Sequence, residues 1–361
     1  MSGAEAYSWL DRTLHRLAFA GLGLQKALAD LEDRILAGQF QDVAAERPVF
    51  ITSLPRAGTT LLLEVLSVLP DFASHTYRNM PFVLCPILWD RLSQAFRKDA
   101  KLRERAHGDG MMVGYDSSEA FEEVIWTAFW PEKYRSDRIE PWSATDRDDD
   151  FERFFRNHIR KIVALRPAPN GAGRHRRRYV SKNNANIARL ELLQALFPDC
   201  RIVVPIRHPQ SQIRSLRRQH ESFTAMHAQD RFSLRYMEWL GHFEFGAALR
   251  PIDFRGWMAD GVALDPSDEP FWLTYWAEAY QAVLAAAGPG VYFFDYDRAC
   301  ARPEPMMAAL AEVLDVRDPS ELLAQAARFR RSARNQAPDL PRTALGARVR
   351  DVYEAIRARS G

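Results

Sequence analysis

Residues Pro48 to Pro70 constrain this chain more than any other stretch. Pro48-Val-Phe-Ile-Thr-Ser53 is a short, nearly continuous apolar run, the pattern of a strand buried on both faces of a parallel sheet. Leu54-Pro-Arg-Ala-Gly-Thr-Thr60 follows, then the apolar helical run Leu61 to Leu69, which Pro70 stops. Strand, tight loop and helix open a βαβ unit. The alternation returns downstream: a strand at Tyr179–Lys182 before a helix over 186–196, a strand at Arg201–Ile206 before a helix from His208-Pro209 through Arg218, and a strand at Val291–Asp295 before a helix over 305–314. Alternation of this kind predicts an α/β fold with a central parallel sheet between helical layers.

The rest of the chain is read around that sheet. Trp9, Leu10, Leu14, Leu17, Ala18, Leu28, Leu31, Ile35 and Leu36 recur at helical spacing, so residues 7–46 are predicted to be helix. Segments 85–160 and 220–285 are rich in Trp, Phe and Arg and read as helical insertions that roof the sheet and shape a cleft. The tail 318–360 reads as helix with a polar break from Ser332 to Pro341. The expected organisation is a helical segment 1–46, an α/β domain 47–317 carrying the insertions, and a helical segment 318–361 packed on it. No heptad or long exposed apolar stripe points to an oligomeric state.

Composition removes several alternatives. With 49 basic and 47 acidic residues the formal charge is +2, which gives no electrostatic basis for nucleic-acid binding. Cys85, Cys200 and Cys300 are widely spaced and include no CxxC pair. A disulfide framework or cysteine zinc site is not expected, and a reducing cytoplasm fits. The first twelve residues lack the basic and apolar regions of a signal peptide, and no run of 18 uncharged apolar residues predicts a membrane span.

The loop carries the chemistry. Gly58 lets the backbone turn closely around an anion, and the helix that follows offers its free N–H groups. Thr59 and Thr60 add hydroxyl donors and Arg56 adds a cation, so the segment reads as a cradle for phosphate or sulfate. A nucleotide-triphosphatase loop, GxxxxGK[ST], would carry lysine where Thr59 stands. That difference weighs against an ATP- and magnesium-dependent small-molecule kinase.

Pro55-Arg-Ala-Gly-Thr-Thr60 resembles the 5′-phosphosulfate loop of the sulfotransferases that use 3′-phosphoadenosine 5′-phosphosulfate (PAPS). Ile206-Arg-His-Pro209, with Ser215 eight residues after Arg207, resembles the element with which that family grips the donor's 3′-phosphate. Val291–Asp297 is similar to the family's late strand and acidic turn. Arginine in the loop, where cytosolic animal enzymes carry lysine, resembles the bacterial branch. The resemblance implies a P-loop-like three-layer α/β/α fold. It implies transfer of a sulfuryl group from PAPS to a hydroxyl, less readily an amine, of a small-molecule, lipid or carbohydrate acceptor, with no metal. It makes Arg56, Ala57, Gly58, Thr59, Thr60, Arg207 and Ser215 the donor-binding set. Physically, Arg207 stands at the carboxyl end of a strand, where open α/β sheets bind ligands, and its guanidinium suits a terminal phosphate. A protein that binds PAPS or a sulfated ligand without turnover is the other reading.

The proton acceptor is less legible. Related carbohydrate- and tyrosine-modifying enzymes carry a glutamate beyond a Pro-Asp pair, but here Pro70-Asp71 leads to Phe72-Ala-Ser-His-Thr-Tyr-Arg78. His75 is the nearest titratable base. Glu119, with Glu122 or Glu123, opens a helix after a glycine-rich approach and reads equally as a capping box. His220 is the remaining candidate. Lys182 is the last of only six lysines, and as a compact charge at a strand end it reads as a donor or acceptor contact. Ser332-Ala-Arg334-Asn335 is a candidate loop over the nucleotide. The basic run Arg174–Arg178 reads as a solvated loop. The roof aromatics, Trp126, Phe129, Trp130, Tyr134, Trp142, Trp239, Trp257, Trp272 and Trp276, read mainly as core and secondarily as an acceptor pocket.

Overall fold

The computed structural model describes residues 9–19, 21–94, 103–104, 112–113, 120–166, 177–259, 264–330 and 339–360. Its strands are β1 (Val49–Ile51), β2 (Phe72–Ala73), β3 (Arg103–Glu104), β4 (Met112–Val113), β5 (Arg178–Lys182), β6 (Arg201–Ile206) and β7 (Val291–Asp295). β3 and β4 form a separate antiparallel pair. The other five make one parallel sheet in the order β2-β5-β1-β6-β7.

Alternation along these strands serves two cores. Phe50, Tyr179, Ile202, Val204 and Phe293 face one helical layer, while Val49, Ile51, Val180, Val203 and Phe294 face the other. That is why the strands read as continuous apolar runs: both sides are buried. The second face is covered by α3 (Thr59–Ser67) and α12 (Pro303–Val313), through Leu62, Leu66, Met307 and Leu310.

The first face is covered by helices of the insertions together with α7 (Leu190–Leu196), which lies between them in the chain. α6 (Asp149–Leu165) buries Phe151, Phe154, Phe155, His158, Ile159 and Ile162, the three- and four-residue spacing of a single helix face. Asp148 caps it, accepting from the Phe151 N–H at 2.6 Å. α7 and α10 (Glu269–Ala286) complete the layer. Lys161 is buried on α6 and pairs with Glu32 at 2.9 Å and with Asp33, tying α2 (Leu22–Ile35) to it.

Several boundaries differ from the sequence reading. The N-terminal helix is two, α1 (Trp9–Phe19) and α2. On them Leu17, Leu24, Leu31 and Ile35 stand exposed. The segment after β5 begins as a 3-10 turn, Asn184–Ala188, because the side chain of Asn183 accepts the Ala185 N–H and holds a tight turn. α8 (Pro209–Gln229) runs eleven residues beyond Arg218. α4 (Pro86–Gln94) and α5 (Glu123–Phe129) precede α6, α11 (Tyr296–Ala301) precedes α12, α13 (Pro319–Leu323) follows it, and α14 (Ala344–Arg357) packs on α10. No helix of the described residues is long and apolar enough to cross a membrane.

Parallel pairing brings the carboxyl ends of β1, β5, β6 and β7 to one edge. The loop after β1, Lys182–Asn184, Arg207–His208 and Tyr296 therefore gather there.

Candidate active site

The loop after β1 is fastened from beneath. Ser53 Oγ donates to the Pro205 carbonyl at 2.8 Å and lies 2.7 Å from the Tyr280 hydroxyl. Gln212 of α8 donates from Nε2 to the carbonyls of Leu54 (3.0 Å) and Pro55 (2.9 Å), and its Oε1 accepts from Trp276 Nε1 at 2.9 Å. Above this base the backbone adopts two left-handed residues, Arg56 at φ 70° and Gly58 at φ 98°. For arginine that conformation costs about 1–2 kcal/mol, so the surroundings hold it in place. They are Arg207, whose guanidinium donates to the Arg56 carbonyl at 3.2 Å, and Ser215, whose Oγ accepts from Arg56 Nε at 3.0 Å. Arg56 is thus joined directly to two other residues selected from the sequence, 151 and 159 positions away. Beyond Gly58 the first N–H groups of α3 have no intrahelical acceptor, and the turn and helix start form an anion concavity.

A polar chain leads from this loop into the cleft. Thr59 Oγ1 donates to Asn184 Oδ1 at 3.3 Å, and Asn184 Nδ2 donates to Glu244 Oε1 at 3.0 Å. His242 Nδ1 lies 3.6 Å from the other Glu244 oxygen. Arg56, Thr59, Thr60, Lys182, His242 and Glu244 all line one cleft. Burial raises the Glu244 carboxyl, but His242, Lys182 and the Asn184 amide outweigh it and hold the group down to about 2. Tyr296, at the end of β7, closes the loop's outer side against Gly58, and the Arg207 guanidinium sits 5.9 Å from its ring. Among the described residues no group of three His, Cys, Asp or Glu is arranged to hold a metal ion.

The sulfotransferase family matches the chain over residues 48–252, more than half of its length. The chain belongs to the sulfotransferase family. Among solved structures it is similar to a sulfotransferase of Mycobacterium avium, at 15% identity, 92% of this chain, 79% of the other and a TM-score of 0.47. A sulfotransferase of Mycobacterium tuberculosis is similar at 16%, 97%, 87% and 0.47. A sulfotransferase domain from the curacin biosynthetic pathway is similar at 17%, 86%, 98% and 0.41. No curated protein matches the sequence.

Of the proton-acceptor candidates read from the sequence, those among the described residues stand outside the lining of the cleft. His75 is 1% exposed. Its Nε2 lies 2.8 Å from His158 Nε2 and its Nδ1 3.3 Å from the Tyr179 hydroxyl. Burial, then the nearby Arg166 cation, push it down to about 3. The turn after β2 carries it into the core. Glu122 is fully buried and accepts from Tyr179 (2.9 Å), Asn186 (2.7 Å) and Trp126 (3.2 Å). Glu123 takes a two-pronged grip from Arg189, 2.7 Å on each oxygen, with Tyr134 and Asn183 adding bonds. Arg189 itself lies between the Trp126 and Trp142 rings, 4.3 and 4.1 Å away. These carboxylates brace the insertion layer. His220 accepts the Gly246 N–H at 3.1 Å and lines no part of the cleft. Glu119 and the Ser332–Asn335 segment lie outside the described residues. Of the basic run, Arg177 and Arg178 are partly buried and donate to the carbonyls of Arg166 and Leu314, so that end is structural rather than solvated.

His242, Glu244 and Asn184 were not anticipated. Asn184 carried a signal, since it adjoins Lys182 at a strand end. Gly241-His-Phe-Glu-Phe245 carried none.

Proposed function

We propose that this protein transfers the sulfuryl group of PAPS to a hydroxyl acceptor and releases adenosine 3′,5′-bisphosphate. The observation that carries the reading is the direct bonding of Arg56 to both Arg207 and Ser215, which ties the 5′ and 3′ anion sites implied by the family into one cradle at the sheet's carboxyl edge. The residues fit the donor: Gly58, left-handed and packed against Tyr296 with no room for a Cβ, sets the turn that presents the first amides of α3.

In this reading Arg56, Lys182 and the first amides of α3 neutralise charge growing on the donor's bridging oxygen and on the sulfonate. The S–O bond to phosphate breaks with its electron pair going to the phosphate, while the acceptor oxygen forms the new S–O bond and gives up its proton. His242 takes that proton on Nε2, since its Nδ1 faces Glu244. Glu244 orients the imidazole and stabilises its charged form. Asn184 links this pair to Thr59, so proton acceptor and loop move as a unit.

The test is release of adenosine 3′,5′-bisphosphate from PAPS by the purified protein, followed by chromatography with a panel of hydroxyl compounds. The expected result is acceptor-dependent release, reduced 10²-fold or more in Arg56→Ala while donor binding persists. Donor binding with no release by the wild type under any acceptor supports a binding protein instead.

A further inference from the structure

A second cavity adjoins the cleft and shares Pro55, Asn184 and Glu244 with it. It is a narrow side pocket of that cleft, open at its mouth. Its wall is apolar and aromatic: Leu216, Phe243, Ile252, Trp272 and Tyr275. The Tyr275 hydroxyl is already engaged by the Ile252 N–H at 3.2 Å, and burial pushes its ionisation far up, so it faces a ligand as a neutral ring.

The charges in this cavity are two, Glu244 and Arg250. Glu244 stands at the shared end, beside the loop. The Arg250 guanidinium lies 4.3 Å from the Phe243 ring and, among the described residues, forms no ion pair with the protein's own carboxylates. Other arginines of the same layer are matched: Arg189 with Glu123, Arg138 with Asp253, Arg255 and Arg348 with Glu278. A cation lining an apolar cavity without a carboxylate is a site for a ligand's anion, where low local polarity strengthens the pairing. The cavity is therefore polarised, negative toward the transfer site and positive at Arg250.

Resting on the sulfuryl-transfer reading, we propose that this cavity is the acceptor site and takes a small hydroxyl-bearing ring compound that carries an anionic group. The ring stacks among Phe243, Trp272 and Tyr275. The anion pairs with Arg250, and repulsion from Glu244 keeps it from entering the other way round. That orientation turns the hydroxyl toward His242 and the loop, where its oxygen takes the sulfuryl group and its proton passes to His242.

The probes are hydroxyphenyl carboxylates with zero to three methylenes between ring and carboxylate, each with its neutral methyl ester. Binding is measured by calorimetry on full-length protein saturated with adenosine 3′,5′-bisphosphate, and kcat/KM is measured with PAPS. At least one acid is expected to bind and react tenfold or more better than its ester. Arg250→Gln is expected to collapse that preference to near unity, and Arg250→Lys to restore part of it. Retained stabilisation by the bisphosphate shows that each variant is folded. Equal binding of acid and ester, no binding by any acid of the series, or an undiminished preference in Arg250→Gln overturns the assignment. Failure of the bisphosphate itself to bind the wild type would instead fault the donor reading beneath it.

Discussion

Replacing Gly58 by alanine tests whether the loop's shape is the device that holds the donor. The glycine sits at φ 98°, and an added Cβ would lie 2.4 Å from Tyr296 Cδ2 and 2.6 Å from Cε2. Optimal carbon contacts fall near 3.5–4.0 Å, so the ring or the loop must yield by roughly 1 Å. Left-handed backbone costs alanine about 1–2 kcal/mol, and forcing an atom into a packed site costs typically 1–3 kcal/mol more. The expected loss is about 2–5 kcal/mol, measured by urea unfolding. Against the usual ~5–15 kcal/mol of a folded protein, much of the population stays native. Function suffers more, because a 1 Å displacement of reacting groups costs about 10²-fold. Turnover of PAPS should fall by that factor, and stabilisation by adenosine 3′,5′-bisphosphate should weaken. Adding Tyr296→Ala removes the clash but leaves the strain, so a double-mutant cycle should give a coupling of about 1–3 kcal/mol with turnover still low. Wild-type stability and turnover in Gly58→Ala would refute the reasoning.

Arg207→Ala is expected to raise the dissociation constant of adenosine 3′,5′-bisphosphate by about 10–100-fold, the loss of charged hydrogen bonds worth ~1.5–3 kcal/mol; calorimetry showing an unchanged constant contradicts its role. Arg189→Met strands the Glu123 carboxylate between buried partners and should cost about 3–5 kcal/mol, with an unfolding midpoint close to wild type as the contrary result. His75 is held down to about 3 by burial and Arg166, so between its ordinary value near 6.5 and that value the unfolded chain binds the proton and the folded one does not. Stability should therefore fall as pH drops from 7 toward 4, by about 1.4 kcal/mol per pH unit for this group, and His75→Phe should flatten that slope without abolishing turnover. His242→Gln should lower kcat 10²-fold or more with little change in donor affinity; an unaltered kcat removes it as the proton acceptor.

What the sequence could disclose follows from how local each signal is. The strand, the loop and α3 are contiguous, and their burial on two faces writes itself into Val49–Ile51 and Leu61–Leu66. Arg207 and Ser215 are short-range too, one at a strand end and one on the following helix turn, and parallel pairing carries them to the same edge. The proposed proton acceptor was hidden because it depends on folding at a distance. His242 and Glu244 follow α9 (Arg231–Leu240), and Glu244 meets Asn184 from 60 residues away. His75 was misjudged for the opposite reason: close in sequence to the loop, it is turned into the core by the short edge strand before it. Glu122 and Glu123 look like helix-start acids, yet partners 57 to 66 residues away consume them. The exposed apolar residues of α1 and α2 share the core residues' helical spacing, and periodicity alone cannot say which face is covered.

The central claim is that the loop, Arg207 and Ser215 form a site for a nucleotide with phosphates on both the 5′ and 3′ positions of its ribose. The most direct measurement is the unfolding midpoint of the purified protein with adenosine 3′,5′-bisphosphate, and with ATP or ADP, each with and without magnesium. A ligand at a hundredfold excess over its dissociation constant stabilises the native state by about 2.7 kcal/mol. The account predicts a rise with the bisphosphate that needs no metal and shrinks in Arg207→Ala. A rise with ATP and magnesium alone would contradict it and favour an ATP-binding reading of the same loop.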